Sequence, residues 1–466
     1  MTSAYLIGIC GTAMATLAAM LKAKGYEVRG SDANIYPPMD QFLSDQGITP
    51  LLGYDKKHIT EDIDLVVVGN AVSRGNPEVE AVLDKRLRYA SFPEVLRDMF
   101  LWDKHPIVVA GTHGKTTTTS MIAWALVECE KDPSFLIGGI PENFSSSFRL
   151  GQGDAFVVEG DEYDSAYFDK TAKCLKYLPQ VAIVGNVEFD HADIYQNLDQ
   201  VRQVFERFVS TVPRNGVVLL GADNVGARSL GTLPLCRVET FGLGERSDWR
   251  ATELAYGDRE TRFSVRYGGR VVAEVTMPLL GAFNVRNAVG AIAALSAVGV
   301  SPESAGKTLG SFQGVRRRLE LRGIERGVSV YDDFAHHPTA VGETLNALRQ
   351  VTGEGCLWAV FEPRSATSCR KIFQESFAKA LAVADKVILA PVYRTQLPET
   401  ERLSVSELVE DLQTSGTPAE SVQSIESIRE LIVAGAKEDD VVVFMSNGGF
   451  SGIHEVVLGD LRELGR

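Results

Sequence analysis

The sequence predicts an α/β protein in three units, on the strength of three observations. An apolar, β-branched run, Val108-Val109-Ala110, enters a glycine-rich turn and then a Thr-rich helical segment. The N-terminus opens with a strand, a glycine-bearing turn and an apolar helix pattern. From about residue 316 onward strands again alternate with helical segments, and each polar cluster follows a strand. A chain of 466 residues has room for about three domains. The expected division is a Rossmann-like domain over 1–104, a P-loop α/β domain with an antiparallel appendage over 105–315, and a second Rossmann-like α/β domain over 316–466.

In the first unit Ala4 to Ile9 reads as a buried strand, followed by a turn that carries Gly8, Gly11, Thr12 and Met14. Cys10 and Ala13 stand where a dinucleotide fingerprint has its second and third glycines, so the turn reads equally as structural or ligand-binding. A second strand, Glu27-Val28-Arg29, ends at Gly30-Ser31-Asp32, and an acid there often meets a ribose or base. Asp64 to Gly69 is a further strand delivering Asn70 to Arg74, which either contact a ligand or lead into a capped helix. The unit is expected to hold a nucleotide-bearing substrate.

In the second unit, Gly111-Thr112-His113-Gly114-Lys115-Thr116-Thr117 has the makings of a phosphate site. Glycines let backbone N–H groups approach oxyanions, the helix N-terminus adds partial positive charge, Lys115 reaches the outer phosphates and Thr116 offers a hydroxyl to Mg2+. Val109 replaces the first glycine of the full motif. The expectation is an ATP site. Ala155 to Val158 then runs into Glu159-Gly160-Asp161-Glu162-Tyr163-Asp164, where Glu159 is the natural metal partner of the loop Thr, a solvated acidic turn being the alternative. After the strand Val181 to Val184 comes Asp190-His191, a metal ligand or an ordinary surface histidine. Alternation about Gly268-Gly269 predicts a hairpin. Asn284 and Asn287 share a face of a helix's first turn; capping accounts for the first, and a planar ligand such as adenine for the second.

The third unit opens after Arg316-Arg317-Arg318, which either faces phosphate or is a solvated linker. Strands end at Asp332-Asp333-Phe334-Ala335-His336-His337, at Glu362-Pro363-Arg364-Ser365 and at Ser446-Asn447-Gly448-Gly449.

A net charge of −14 disfavours general attraction to nucleic acid or acidic membrane. Hydrophobic residues at 45% and charged residues at 23% fit a soluble globular protein. Six scattered cysteines without a C-x-x-C suggest reduced thiols in a cytoplasm and no zinc site. No apolar run approaches about 18 residues, and no leader pattern opens the chain, so neither a membrane span nor export is expected.

Taken in order, GTHGKTTT at 111–118, Glu159 to Asp164, Asp190-His191, Asn284-x-x-Asn287, Arg317-Arg318 and DDxxHHPT at 332–339 resemble the Mur ligase family of peptidoglycan synthesis across nearly the whole chain. The resemblance implies one domain for a UDP-sugar, one for ATP and a mobile one for the incoming amine. Gly30 to Pro38, Gly69-Asn70-Ala71, Arg74 to Pro77, Glu188 to Ile194, Glu362 to Ser365 and Met445 to Phe450 resemble the recycling branch. That branch joins a salvaged L-Ala-γ-D-Glu-meso-diaminopimelate tripeptide to UDP-N-acetylmuramate through an acyl phosphate, giving ADP and phosphate.

The implied roles follow. Gly111, Thr112, His113, Gly114, Lys115, Thr116 and Thr117 bind ATP, with Asn287 and Asn284 at adenine and Arg318, Asp333 and His337 reaching over from the third domain. Thr116 and Glu159 hold one Mg2+ and His191 a second; the catalytic set is Lys115, Glu159, His191 and Asp333. Gly8, Gly11, Thr12, Met14, Ser31, Asp32, Asn70 and Arg74, with His113, contact the UDP-sugar, and Arg364, Ser365 and Asn447 the peptide. Two positions depart from relatives: Glu206 stands where later-acting members carry a carbamylated lysine and reads equally as a negative charge near the second metal or as a plain surface-helix acid, and Phe283 replaces a histidine before Asn284. The implied partners are small molecules, with no nucleic acid or membrane, in a monomer or weak homodimer. The alternatives are an alanine-adding ligase and a non-catalytic UDP-sugar-binding protein.

Overall fold

The computed structural model describes residues 2–35, 37–394 and 396–465; Tyr36, within the 30–38 stretch, lies outside the described residues. Runs such as Leu65–Val68, His105–Ala110, Val181–Val184 and Val441–Met445 are apolar with no alternation, and they become buried strands of parallel sheets covered on both faces. Three sheets result, in line with the three-unit α/β reading.

The first has the spatial order Leu51–Leu52, Glu27–Asp32, Ser3–Ile7, Leu65–Val68, Tyr89–Ser91. Ser3–Ile7 is flanked by parallel partners on both sides, so the segments after Ile7, Asp32 and Val68 leave the sheet at the same end. Their turn is anchored from below. Glu78, fully buried, accepts from Tyr5 Oη at 3.0 Å and Ser31 Oγ at 2.5 Å, and lies 2.7 Å from His58 Nδ1.

In the second, ten-stranded sheet, His105–Ala110 lies between Val181–Val184 and Ala155–Gly160, all parallel. The loops that follow these strands, at 111–114, 161–164 and 185–191, therefore converge. The far edge is the expected antiparallel appendage: Trp249–Tyr256, Thr261–Tyr267 and Arg270–Met277, the last two joined through Gly268 and Gly269 at φ +57° and +79°. Helices Lys115–Glu128 and Ala282–Ala297 pack together on this sheet, and Thr116 to Ser120 are all buried.

The third sheet runs Glu320–Glu325, Val328–Asp333, Val441–Met445, Leu357–Phe361, Lys386–Leu389, Ala419–Ser421. Val441–Met445 sits between two parallel neighbours, so the loops after Asp333, Phe361 and Met445 again share one end. Among the described residues no helix is long and apolar enough to cross a membrane.

Replacing Glu78 by Leu would strand Tyr5, Ser31 and His58 without their shared acceptor. We expect a loss of about 3–5 kcal/mol from the unfolding transition of the N-terminal unit in urea; a loss under about 1 kcal/mol would contradict the anchoring role.

Candidate active site

The phosphate-loop turn depends on two glycines in the left-handed region, Gly111 (φ +124°) and Gly114 (φ +83°). A Cβ on Gly111 would sit 3.0 Å from the Asn186 carbonyl, and one on Gly114 only 2.5 Å from Asn287 Oδ1. Asn186 templates the loop: its Oδ1 accepts from the His113 N–H (2.7 Å) and its Nδ2 donates to the His113 carbonyl (3.2 Å).

Lys115 Nζ donates to the Gly111 carbonyl at 2.7 Å and to both Glu162 oxygens, at 2.9 and 3.2 Å. The other neighbour of Glu162 is His191, whose Nε2 is 3.2 Å from Oε1. A carboxylate only accepts, so Nε2 carries the hydrogen here. Burial alone would pull the Lys115 ammonium down, but Glu162 and Asp161 outweigh it and raise its pKa. For Glu162 burial is likewise outweighed, and Lys115 and His191 hold its carboxyl below the usual range.

Thr116 Oγ1 donates to Glu159 Oε2 at 2.9 Å, and Glu159 Oε1 accepts from the Gly138 N–H. Burial, reinforced by Asp161, raises the Glu159 pKa, leaving a carboxylate short of positive charge. An octahedral Mg2+ with bonds of about 2.0–2.1 Å places adjacent ligand oxygens about 2.9 Å apart. The Thr116–Glu159 pair has that spacing and the hard oxygen donors the ion prefers, so these residues fit it.

The third sheet's loops reach into the same space. Arg318 Nη2 donates to Thr116 Oγ1 at 3.1 Å while its guanidinium lies 4.5 Å from the Phe334 ring centroid. Asp333 accepts from the Leu319 and Ala335 N–H groups, and burial pushes its pKa up to about 6 against the pull of Arg318. Thr339 Oγ1 donates to Glu188 at 2.6 Å, Thr367 Oγ1 to Asp190, and Arg286 to Glu343 at 2.6 Å, so the third unit is docked on the second. His337 belongs to this seam: Nε2 donates to the Phe189 carbonyl (3.1 Å) and Nδ1 accepts from the Thr339 N–H (3.3 Å), fixing a neutral tautomer.

The cavity between these elements, about 770 Å3, is lined by Thr112 to Thr118, Glu159, His191, Asn287, Arg318, Asp333, Ser365 and Asn447 among others. A second cavity, about 840 Å3, is lined by Gly8, Gly11, Thr12, Met14, Asp32, Asn70 and Arg74. Several expected residues take other positions. Ser31 points down to Glu78, away from the second cavity. Arg74 forms a bidentate pair with Glu80 at 2.9 and 3.0 Å. Asp32 Oδ2 accepts from the Cys10 N–H at 2.9 Å, which closes the turn that lacks its usual glycines. Asn284 spends its amide on the Leu280 carbonyl (2.9 Å), leaving Asn287 to face the loop. Arg364 stacks on Tyr393 at 4.0 Å as a wall support, whereas Asn447 keeps a buried Oδ1 without a partner. Of the two readings of Glu206 the structure matches the surface-helix acid: it pairs with Arg202 at 3.0 Å on the helix Leu198–Val209, and does not line the cavity. Sequence reading missed Glu162, Asn186 and Glu188 as individual residues, although each lies in a polar run after a strand.

The family model described as Mur ligase family, catalytic domain, matches residues 3–101; Mur ligase middle domain matches 109–295; and Mur ligase, glutamate ligase domain, matches 317–448. The UDP-N-acetylmuramate--L-alanyl-gamma-D-glutamyl-meso-2,6-diaminoheptandioate ligase of Escherichia coli is 43% identical over 98% of both chains. A crystal structure of a murein peptide ligase from Psychrobacter arcticus superposes with a TM-score of 0.72 and 36% identity, over 99% of both chains. The UDP-N-acetylmuramate--L-alanine ligase of Lachnospira eligens is 32% identical over 97% of both.

Burial, aided by His113, lowers the His337 pKa to about 4. The folded state therefore prefers the neutral ring. That preference is fully present above the unfolded value of about 6.5 and is lost as pH falls toward 4, up to about 3 kcal/mol in all. The melting temperature should fall more steeply between about pH 6.5 and 4.5 in the wild type than in His337→Gln; parallel pH profiles would refute the assignment.

Proposed function

The chain belongs to the Mur ligase family, and from that premise we propose that it joins an L-Ala-γ-D-Glu-meso-diaminopimelate tripeptide to UDP-N-acetylmuramate at the expense of ATP. The observation that carries this reading is the identity to the E. coli tripeptide ligase, 43% end to end against 32% for an alanine-adding relative. The convergence of the three sheets' loops on one cavity supports it.

The sugar's lactyl carboxylate is a poor electrophile. One of its oxygens attacks the ATP γ-phosphorus as the bond to the β-bridging oxygen breaks, giving an acyl phosphate and ADP. The L-alanyl amine then adds to the carbonyl carbon, and the C–O bond to phosphate breaks as the tetrahedral intermediate collapses. Such chemistry is carried mainly by positioning and charge neutralisation. Gly111 to Thr117 cradle the phosphates, and Lys115 exchanges its Glu162 partner for phosphate oxygens. Thr116 and Glu159 would hold one Mg2+, and His191 a second through an unprotonated ring nitrogen; the ions supply neutralising charge. Arg318, fixed on Phe334 and beside Asp333, adds positive charge from the third domain. Asn287 faces the adenine.

By position, the N-terminal cavity takes the UDP-sugar through Gly8 to Met14, Asp32 and Asn70. Ser365 and Asn447, across the main cavity, take the peptide, the unpartnered Asn447 Oδ1 being an acceptor for a backbone or ammonium donor. Purified protein with ATP, Mg2+ and UDP-N-acetylmuramate should form product with tripeptide at least about 100-fold more efficiently than with L-alanine, a discrimination of roughly 3 kcal/mol. Preference for alanine would make it an alanine-adding enzyme, and no ADP with either amine would leave only a binding role.

A further inference from the structure

The two cavities meet at Thr12, Phe92, Tyr163 and Lys173, each of which lines both. Lys173 begins a short helical turn, Lys173–Lys176, and is only 6% exposed. Its Nζ lies 4.1 Å from the Tyr163 ring centroid and 5.7 Å from that of Phe92. The carboxylate paired with it is Asp161, at 3.8 Å, too far for a hydrogen bond. An ammonium has three donors, and burying it without acceptors is costly; two aromatic faces offset only part of that cost. Burial pulls its pKa down, while Asp161, Asp164 and Glu162 push it back. This cation is held between two aromatic rings where the two cavities join, with no hydrogen bond to a protein acceptor.

The junction is where an anion must pass if the substrate reading above holds, on which this inference rests. A sugar nucleotide seated among Gly8, Asp32 and Asn70 has to extend its acidic arm past Thr12 and Tyr163 to reach the phosphate loop. The carboxylates nearest Lys173 are Asp161, Asp164 and Glu162, of which Glu162 is already paired with Lys115, so a further carboxylate arriving here needs a cation of its own. We propose that Lys173 is the binding site for the sugar's lactyl carboxylate, receiving it at the junction and presenting it to the phosphate loop. Lys115 and Arg318 are committed to the nucleotide side, which leaves Lys173 for the acid. The residue thereby carries specificity: it recognises the one group that separates UDP-N-acetylmuramate from UDP-N-acetylglucosamine.

The test is binding of these two ligands, by calorimetry without ATP, to wild type, Lys173→Met and Lys173→Arg. Wild type should prefer UDP-N-acetylmuramate. The Met variant should bind it about 10- to 100-fold more weakly, the effect of losing a charge-assisted hydrogen bond. UDP-N-acetylglucosamine should bind the Met variant within about twofold of wild type, which also shows that the pocket is folded. Met, packed between two rings, should leave the melting temperature unchanged or higher, and Arg should restore part of the preference. If Met weakens both ligands alike, or neither, Lys173 is not the carboxylate site. If wild type itself shows no preference for the muramate, the substrate reading fails instead.

Discussion

The site is governed by an excess of buried negative charge at the strand ends of the central sheet. Glu159 at the end of a strand, and Asp161, Glu162, Glu188 and Asp190 in the loops that follow, are brought to one place by the parallel order of three adjacent strands. They can be tolerated only if cations reach them. Glu162 is the clearest case: at 2% side-chain exposure it sits between Lys115 and His191, and both ion pairs hold it ionised. Glu159 has no such cation within a hydrogen bond, and its raised pKa records the deficit. A pocket of this kind is poised to accept metal ions and, with them, the polyanions that the metals neutralise.

The third domain answers the same constraint from the other side. Three consecutive arginines fan out in different directions, helped by left-handed backbone at Arg317 (φ +58°) and Leu319 (φ +52°). Arg316 pairs with Glu142 at 2.9 Å, Arg317 with Asp332 at 3.2 Å and the Ser446 carbonyl at 2.7 Å, and Arg318 with Thr116. The junction is thus neither a solvated basic linker nor a uniform phosphate clamp. One arginine grips the central domain, one ties the junction to the Ser446–Gly448 loop, and one reaches Thr116 in the main cavity. The docking adds Arg318 to the positive charge that Lys115 already supplies to the acidic seam from within the central domain.

Much of this was legible in the sequence because it is local. Gly268-Gly269 marks the hairpin, apolar runs mark the buried parallel strands, and the glycines between Gly111 and Thr116 mark the tight turn from strand into helix despite the missing first glycine of the motif. Gly111 and Gly114 suffice, since they are the two positions with positive φ. What could not be read was pairing across the chain. Lys115 and Glu162 are 47 residues apart, and the choice of Glu162 over its acidic neighbours depends on which strands lie side by side. Ser31 followed a strand as a ligand residue would, yet its side chain faces the sheet interior, where Glu78 takes its hydrogen bond. The Asn284 amide is taken up by a carbonyl four residues back, so that of two asparagines on one helical face only Asn287 meets the loop.

In the proposed reaction this charged seam activates a carboxylate by phosphorylation. UDP-N-acetylmuramate carrying 18O in both lactyl carboxylate oxygens, turned over with ATP and tripeptide, tests it directly. One 18O atom should appear in each inorganic phosphate released and the other in the amide carbonyl. Phosphate free of 18O, with product still formed, would contradict it.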